Sequence, residues 1–126
     1  MNGIQKTMMK ISMTYNQFDI VTVPFPFTDS NVVKKRPAII LSSQKEFNTP
    51  AGHSIMAMIT SARNNPWPHD ITITNLKSSG LPKPSVIRIK LFTLDNRFIF
   101  NTIGTLSAKD QKTLTATIKS ALKGLL

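Results

Sequence analysis

Apolar and polar positions change period along this chain, and the changes mark its elements. Phe18-Asp19-Ile20-Val21-Thr22-Val23 predicts a strand. Pro24 and Pro26 are expected to end it, because proline has no N–H to give to a ladder. Residues 28–35 are polar and end basic, which predicts a loop. Pro37-Ala38-Ile39-Ile40-Leu41 is a short apolar run, as in a buried central strand. A polar connection over residues 42–52 then leads to a third strand at residues 54–59. Arg63-Asn64-Asn65-Pro66-Trp67-Pro68 carries prolines and asparagines that exclude regular structure. Asp70-Ile71-Thr72-Ile73-Thr74 alternates at period two, the mark of a half-buried strand. The chain turns over residues 80–84, forms a strand over 85–91 and one or two short strands over 98–106.

The period then changes. Leu114, Ile118, Ala121, Leu122 and Leu125 repeat at helical spacing, with Lys109, Lys112, Lys119 and Lys123 mainly on the other side. Ser107 and Asp110 resemble a capping box at the start of this helix. About six short strands and one helix predict a mainly β fold: a barrel-like antiparallel sheet packed by a C-terminal α-helix. Residues 1–16 hold four of the six methionines without a clear period. They read as a loosely ordered extension in which Met1, Met8, Met9 and Met13 are alternative starts. Residues 17–126 read as a single domain.

Charge narrows the class of partner. Lysine and arginine number 16 against 6 acidic residues, a net charge of +10. Self-repulsion of that size points to a polyanion: nucleic acid or a strongly acidic protein. The basic residues are scattered rather than gathered on one amphipathic helix, which argues against a membrane surface. No apolar run is long enough to span a bilayer and no signal peptide is evident. The absence of cysteine leaves no disulfide framework and fits a reducing, cytoplasmic setting. His53 and His69 have no adjacent carboxylate cluster, so no metal or cofactor is expected.

Four short segments give the sharper signal. They are Asp19-Ile20-Val21 through Pro24-Phe25-Pro26-Phe27-Thr28-Asp29 to Lys35-Arg36-Pro37-Ala38-Ile39-Ile40; Ala57-Met58-Ile59-Thr60-Ser61; Ser85-Val86-Ile87-Arg88 with Thr93-Leu94-Asp95; and Ile103-Gly104-Thr105-Leu106. Together, in this order, they resemble the MazF/PemK toxins. The resemblance implies the PemK/CcdB/MazF-like SH3-type barrel and a homodimer. It also implies an mRNA-cleaving endoribonuclease of a type II toxin–antitoxin pair, acting on single-stranded RNA and neutralised by a cognate acidic antitoxin. Two departures stand out. Phe18 occupies the place of the glycine usual before the first aspartate, and Lys90 stands where some relatives carry an acid two positions after Arg88.

Metal-free cleavage of RNA uses the substrate's own 2′-OH as nucleophile. It leaves a 2′,3′-cyclic phosphate and a 5′-OH. Arg36 suits charge stabilisation on the phosphoryl oxygens, since guanidinium is always protonated and forks two hydrogen bonds. Thr60 can hold a phosphate oxygen or the 2′-OH. These two are the expected catalytic residues. Lys34, Lys35, Ser61, Arg63 and Arg88 are expected to hold RNA, and Trp67 to stack an unpaired base. For Lys34, a solvated charge competes with that reading; for Trp67, packing in the core or at a dimer contact does. The proton acceptor is unassigned. Two other functions share the fold: a CcdB-like gyrase-binding toxin and a non-catalytic nucleic-acid-binding module.

Overall fold

The structure, a computed structural model of the chain, describes residues 15–25 and 34–126. Six strands form one antiparallel sheet among these residues: β1 (Asp19–Phe25), β2 (Lys34–Ile40), β3 (His53–Ser61), β4 (Ile71–Thr72), β5 (Ser85–Asp95) and β6 (Asn101–Thr105). Their spatial order is β4-β5-β3-β2-β1-β6. Two helical turns, α1 (Thr49–Ala51) and α2 (Leu76–Ser79), interrupt the strands, and helix α3 (Ala108–Ala121) ends the chain.

The alternation of each strand buries a different set of apolar side chains on each face. Ile20, Ile39, Ala57, Ile59, Ile71 and Ile87 pack on one face against Leu106 and Leu114, where α3 lies. Val21, Val23, Ala38, Ile40 and Met56 pack on the other, with Tyr15 and Ile99. The two outer strands, β4 and β6, do not pair with each other, but α2, between β4 and β5, packs against β6. Gly80, at the end of α2 with φ +73°, lies against β6 so closely that a Cβ there would stand 2.0 Å from the Ile103 carbonyl oxygen. A Cβ on Gly104 would stand 2.3 Å from the Ser79 carbonyl carbon. Backbone packing, not a ladder, holds α2 on β6.

Several expected boundaries move, each for a physical reason. β1 runs through Pro24 to Phe25. Phe100 N–H donates to Thr22 O (2.9 Å), so Thr22 and Pro24 turn their backbone groups toward β6. Pairing with β6 stops at Thr22↔Asn101, so Pro24 deprives no neighbour of a donor. β2 begins at Lys34 rather than Pro37, because Lys34 and Lys35 pair with Phe25 and Pro24 despite their charge. β5 continues to Asp95, while β4 is only two residues long. The polar connection after β2 coils into a π-helical turn (Gln44–Asn48) and α1.

Helix α3 starts where its cap predicts: Ser107 Oγ accepts from Asp110 N–H at 3.3 Å. The reciprocal half of the box is not made. The buried Asp110 carboxylate instead accepts from Thr74 N–H and Thr74 Oγ1, both at 2.8 Å, and fastens the helix to the segment after β4. Leu125 is 77% exposed, because the helix ends at Ala121 and its apolar face stops short of Leu125. Phe18 holds φ +71°, the conformation a glycine would adopt without cost. Residues of the N-terminal extension before Tyr15 and of the loop over 28–33 lie outside the described residues; Tyr15 itself is buried.

Candidate active site

The β2–β3 ladder is incomplete, and a cleft opens where it fails. Leu41 N–H donates to Ile55 O (2.8 Å), so alternate residues Leu41, Ile39 and Pro37 turn their backbone groups toward β3. Pro37 has no N–H to give. Pairing accordingly runs from Ile40↔Met56 to Ala38↔Met58 and goes no further. Carried on by two residues, the same register would set Arg36 opposite Thr60. The strands separate there instead, and the two side chains share a cleft of about 570 Å³.

Phe25, Pro37, Met58 and Leu81 supply apolar wall, and Lys35, Arg36, Lys83, Arg88 and Lys90 supply charge. Arg36 is exposed, and no carboxylate among the described residues pairs with it. Thr60 Oγ1 accepts a hydrogen bond from the Asn64 side-chain amide. That leaves its own O–H available to a ligand oxygen. Ser61 also lines the cleft, with its Oγ accepting from Arg63 N–H at 3.3 Å.

Arg88 is differently placed. Its Nε donates to Asp70 Oδ1 at 3.2 Å, and its Nη2 to Asp70 Oδ2 at 3.0 Å and to the Asn65 carbonyl at 2.8 Å. The Arg88 guanidinium holds the Asp70 carboxyl below the usual carboxylate range; partial burial opposes this and the Trp67 N–H adds to it. Trp67 lies over Arg88, its ring centroid 4.9 Å from the guanidinium carbon. Lys90 lies 5.5 Å from the Phe25 ring and Lys35 5.0 Å from the Phe100 ring, both cation–π distances.

The cleft thus gathers Arg36, Thr60, Lys35, Ser61, Trp67 and Arg88. Lys34 and Arg63 are exposed beside it and do not line it. Neither histidine lines it: His53 lies at the opposite end of β3, with Nδ1 3.0 Å from the Ala51 carbonyl oxygen, and His69 is exposed with φ +65°. Asn64, Asp70 and Lys83 were not signalled by any motif. Asp95 closes the Thr93-Leu94-Asp95 segment but serves the turn after β5, where Arg97 N–H and guanidinium hold its carboxyl down at about 2. No group of three or more histidines, cysteines or acids among the described residues could hold a metal ion. No helix among them is long and apolar enough to cross a membrane.

Comparison with known proteins agrees with this architecture. The MazE–MazF complex of Deinococcus radiodurans superposes with a TM-score of 0.70 at 20% identity, covering 86% of this chain and 96% of that one. An endoribonuclease with its cognate antitoxin from a mycobacterial species gives 0.67 at 13%, covering 87% and 94%. A MazF toxin of Mycobacterium tuberculosis gives 0.62 at 24%, covering 82% and 94%. At these identities the likeness concerns the fold. No curated protein matches the chain in sequence. The family model for the PemK-like, MazF-like toxin of type II toxin–antitoxin systems matches residues 16–122. The chain belongs to that family.

Proposed function

We propose that this chain is an endoribonuclease that cuts single-stranded mRNA without a metal ion, as the toxin of a type II pair. The observation that carries the reading is the juxtaposition of Arg36 and Thr60 where the β2–β3 ladder fails, inside a basic cleft. In the proposed reaction the 2′-oxygen forms a bond to phosphorus and the P–O5′ bond breaks. The 2′-OH gives up its proton and the departing 5′-oxygen gains one. Products are a 2′,3′-cyclic phosphate and a 5′-OH. Arg36 forks onto the phosphoryl oxygens as their charge grows. Thr60, its oxygen already accepting from Asn64, directs its O–H to a phosphoryl oxygen. Asp70 is a poor proton acceptor: it is bound to Arg88 and its basicity is depressed.

Similar structures include toxins bound to antitoxins. An acidic antitoxin segment entering this basic cleft would exclude RNA by charge and shape. A homodimer working in the cytoplasm belongs to the same proposal. The test is cleavage of an unstructured RNA by purified protein in the presence of EDTA. Cuts ending in 2′,3′-cyclic phosphate, absent from the equivalent DNA and abolished by Arg36→Ala with an unchanged circular dichroism spectrum, are expected. Full activity of folded Arg36→Ala, or a strict Mg²⁺ requirement, overturns the reading.

A further inference from the structure

Trp67 is the only tryptophan of the chain and is 45% exposed on the loop between β3 and β4. It is not loosely held. Asp70 Oδ2 accepts from Trp67 N–H at 2.8 Å, and Asp70 N–H donates to Trp67 O at 3.3 Å. The same carboxylate binds Arg88 of β5 through both oxygens, and Arg88 reaches back to the Asn65 carbonyl. The Arg88 and Asp70 side chains are only 11% and 12% exposed. A nearly buried ion pair therefore fixes the loop backbone on both sides of Pro66. Its guanidinium lies against the indole, which still contributes surface to the cleft.

We propose that Asp70 and Arg88 are positioning residues that hold Trp67 as a stacking platform for one unpaired base beside the scissile phosphate. The inference rests on reading the cleft as an RNA site. An aromatic ring offers every base a π-face, and prior immobilisation removes the ordering cost that a free loop would incur on binding. Arg88 then acts mainly through Trp67 rather than by gripping phosphate. The guanidinium, already committed to Asp70 and Asn65, is the support beneath the ring.

Because Trp67 is the sole tryptophan, its fluorescence reports on that ring alone. Titration of the wild-type protein with an uncleavable 2′-O-methyl RNA oligonucleotide is expected to quench and shift its emission. The same backbone carrying abasic units throughout is expected to bind without that change. In steady-state cleavage, Trp67→Ala is expected to raise KM roughly ten- to hundredfold, the range of base–aromatic stacking, with a smaller effect on kcat. Trp67→Phe is expected to recover most of the loss. Asp70→Asn is expected to follow Trp67→Ala in KM and to lose the base-dependent quench while its circular dichroism stays native. RNA cleavage with an unmoved emission and an unchanged KM for Trp67→Ala overturns the platform and spares the nuclease reading. Base-dependent quenching without any cleavage does the reverse. An emission shift that depends on protein concentration in the absence of oligonucleotide assigns Trp67 to a protein contact and also overturns the platform.

Discussion

Thr60→Val keeps the β-branched shape that suits a strand end and removes one hydroxyl. The lost group accepts only from the exposed Asn64 amide, so the folded state should lose less than about 1 kcal/mol. If the hydroxyl steadies charge on the phosphoryl group, single-turnover cleavage should fall roughly hundredfold, as for loss of one preorganised donor. Equal rates for the two proteins would remove Thr60 from the chemistry. Asp70 allows a separate check. Its folded carboxyl is more acidic than the unfolded one, near 3.9, so the Asp70–Arg88 pair contributes fully above that value. The contribution fades only as pH falls through the lower folded value. Trp67 emission should therefore be flat from about pH 5 to 8 as far as this pair governs it; a transition near neutrality would mean that another group controls the ring. Arg36 and Thr60 could be picked out as candidates from the sequence because each sits in a short ordered motif, and both line the cleft. Asp70 was not, because an aspartate opening a period-two strand gives no sign of an arginine 18 residues later. Asn64 is likewise found only through the turn that returns it to Thr60.

Elements show where backbone chemistry, rather than side-chain chemistry, shapes the site. The existence and order of the strands followed from periodicity, but their ends depended on neighbours that no local window contains. Lys34 and Lys35 become strand only because β1 continues through Pro24 to meet them. Pro37 works in the opposite sense, withholding the N–H that would carry the ladder toward Thr60. Pro37→Ala restores that donor and should let β2 and β3 zip further. The amide at position 37 should then be protected in hydrogen exchange, stability should be equal or higher, and cleavage should drop several-fold. An unprotected amide with unchanged activity would show that something else separates the strands. Gly104 explains why its motif carries a glycine. An added Cβ meets Ser79 backbone at 2.3 Å, and backbone cannot rotate aside. Gly104→Ala should destabilise by about 1–3 kcal/mol or more, read as a lowered denaturant midpoint.

Among the described residues of the whole molecule, four of the five acids are tied into structure and most of the bases are left without an ion pair. Asp70 and Asp95 bind Arg88 and Arg97, and Asp110 is buried on Thr74; among the described residues no other lysine or arginine is ion-paired. The +10 charge was plain from composition, but the meeting of four unpaired cations in one cleft was not, since Lys35, Arg36, Lys83 and Lys90 come from two strands and a turn. Binding there should be strongly salt-dependent. Each phosphate neutralised on a single strand steepens the slope of log affinity against log salt by about 0.7, so four such cations give roughly −3. Between 50 and 200 mM salt, an uncleavable oligonucleotide should lose about fifty-fold in affinity. Lys83→Gln should weaken binding to all sequences alike and flatten the slope by about 0.7, because a phosphate contact carries no base information. Trp67→Ala should weaken binding without changing the slope, because stacking releases no counterion. A slope near zero in the wild-type protein would mean that the cleft's charge serves something other than a polyanion.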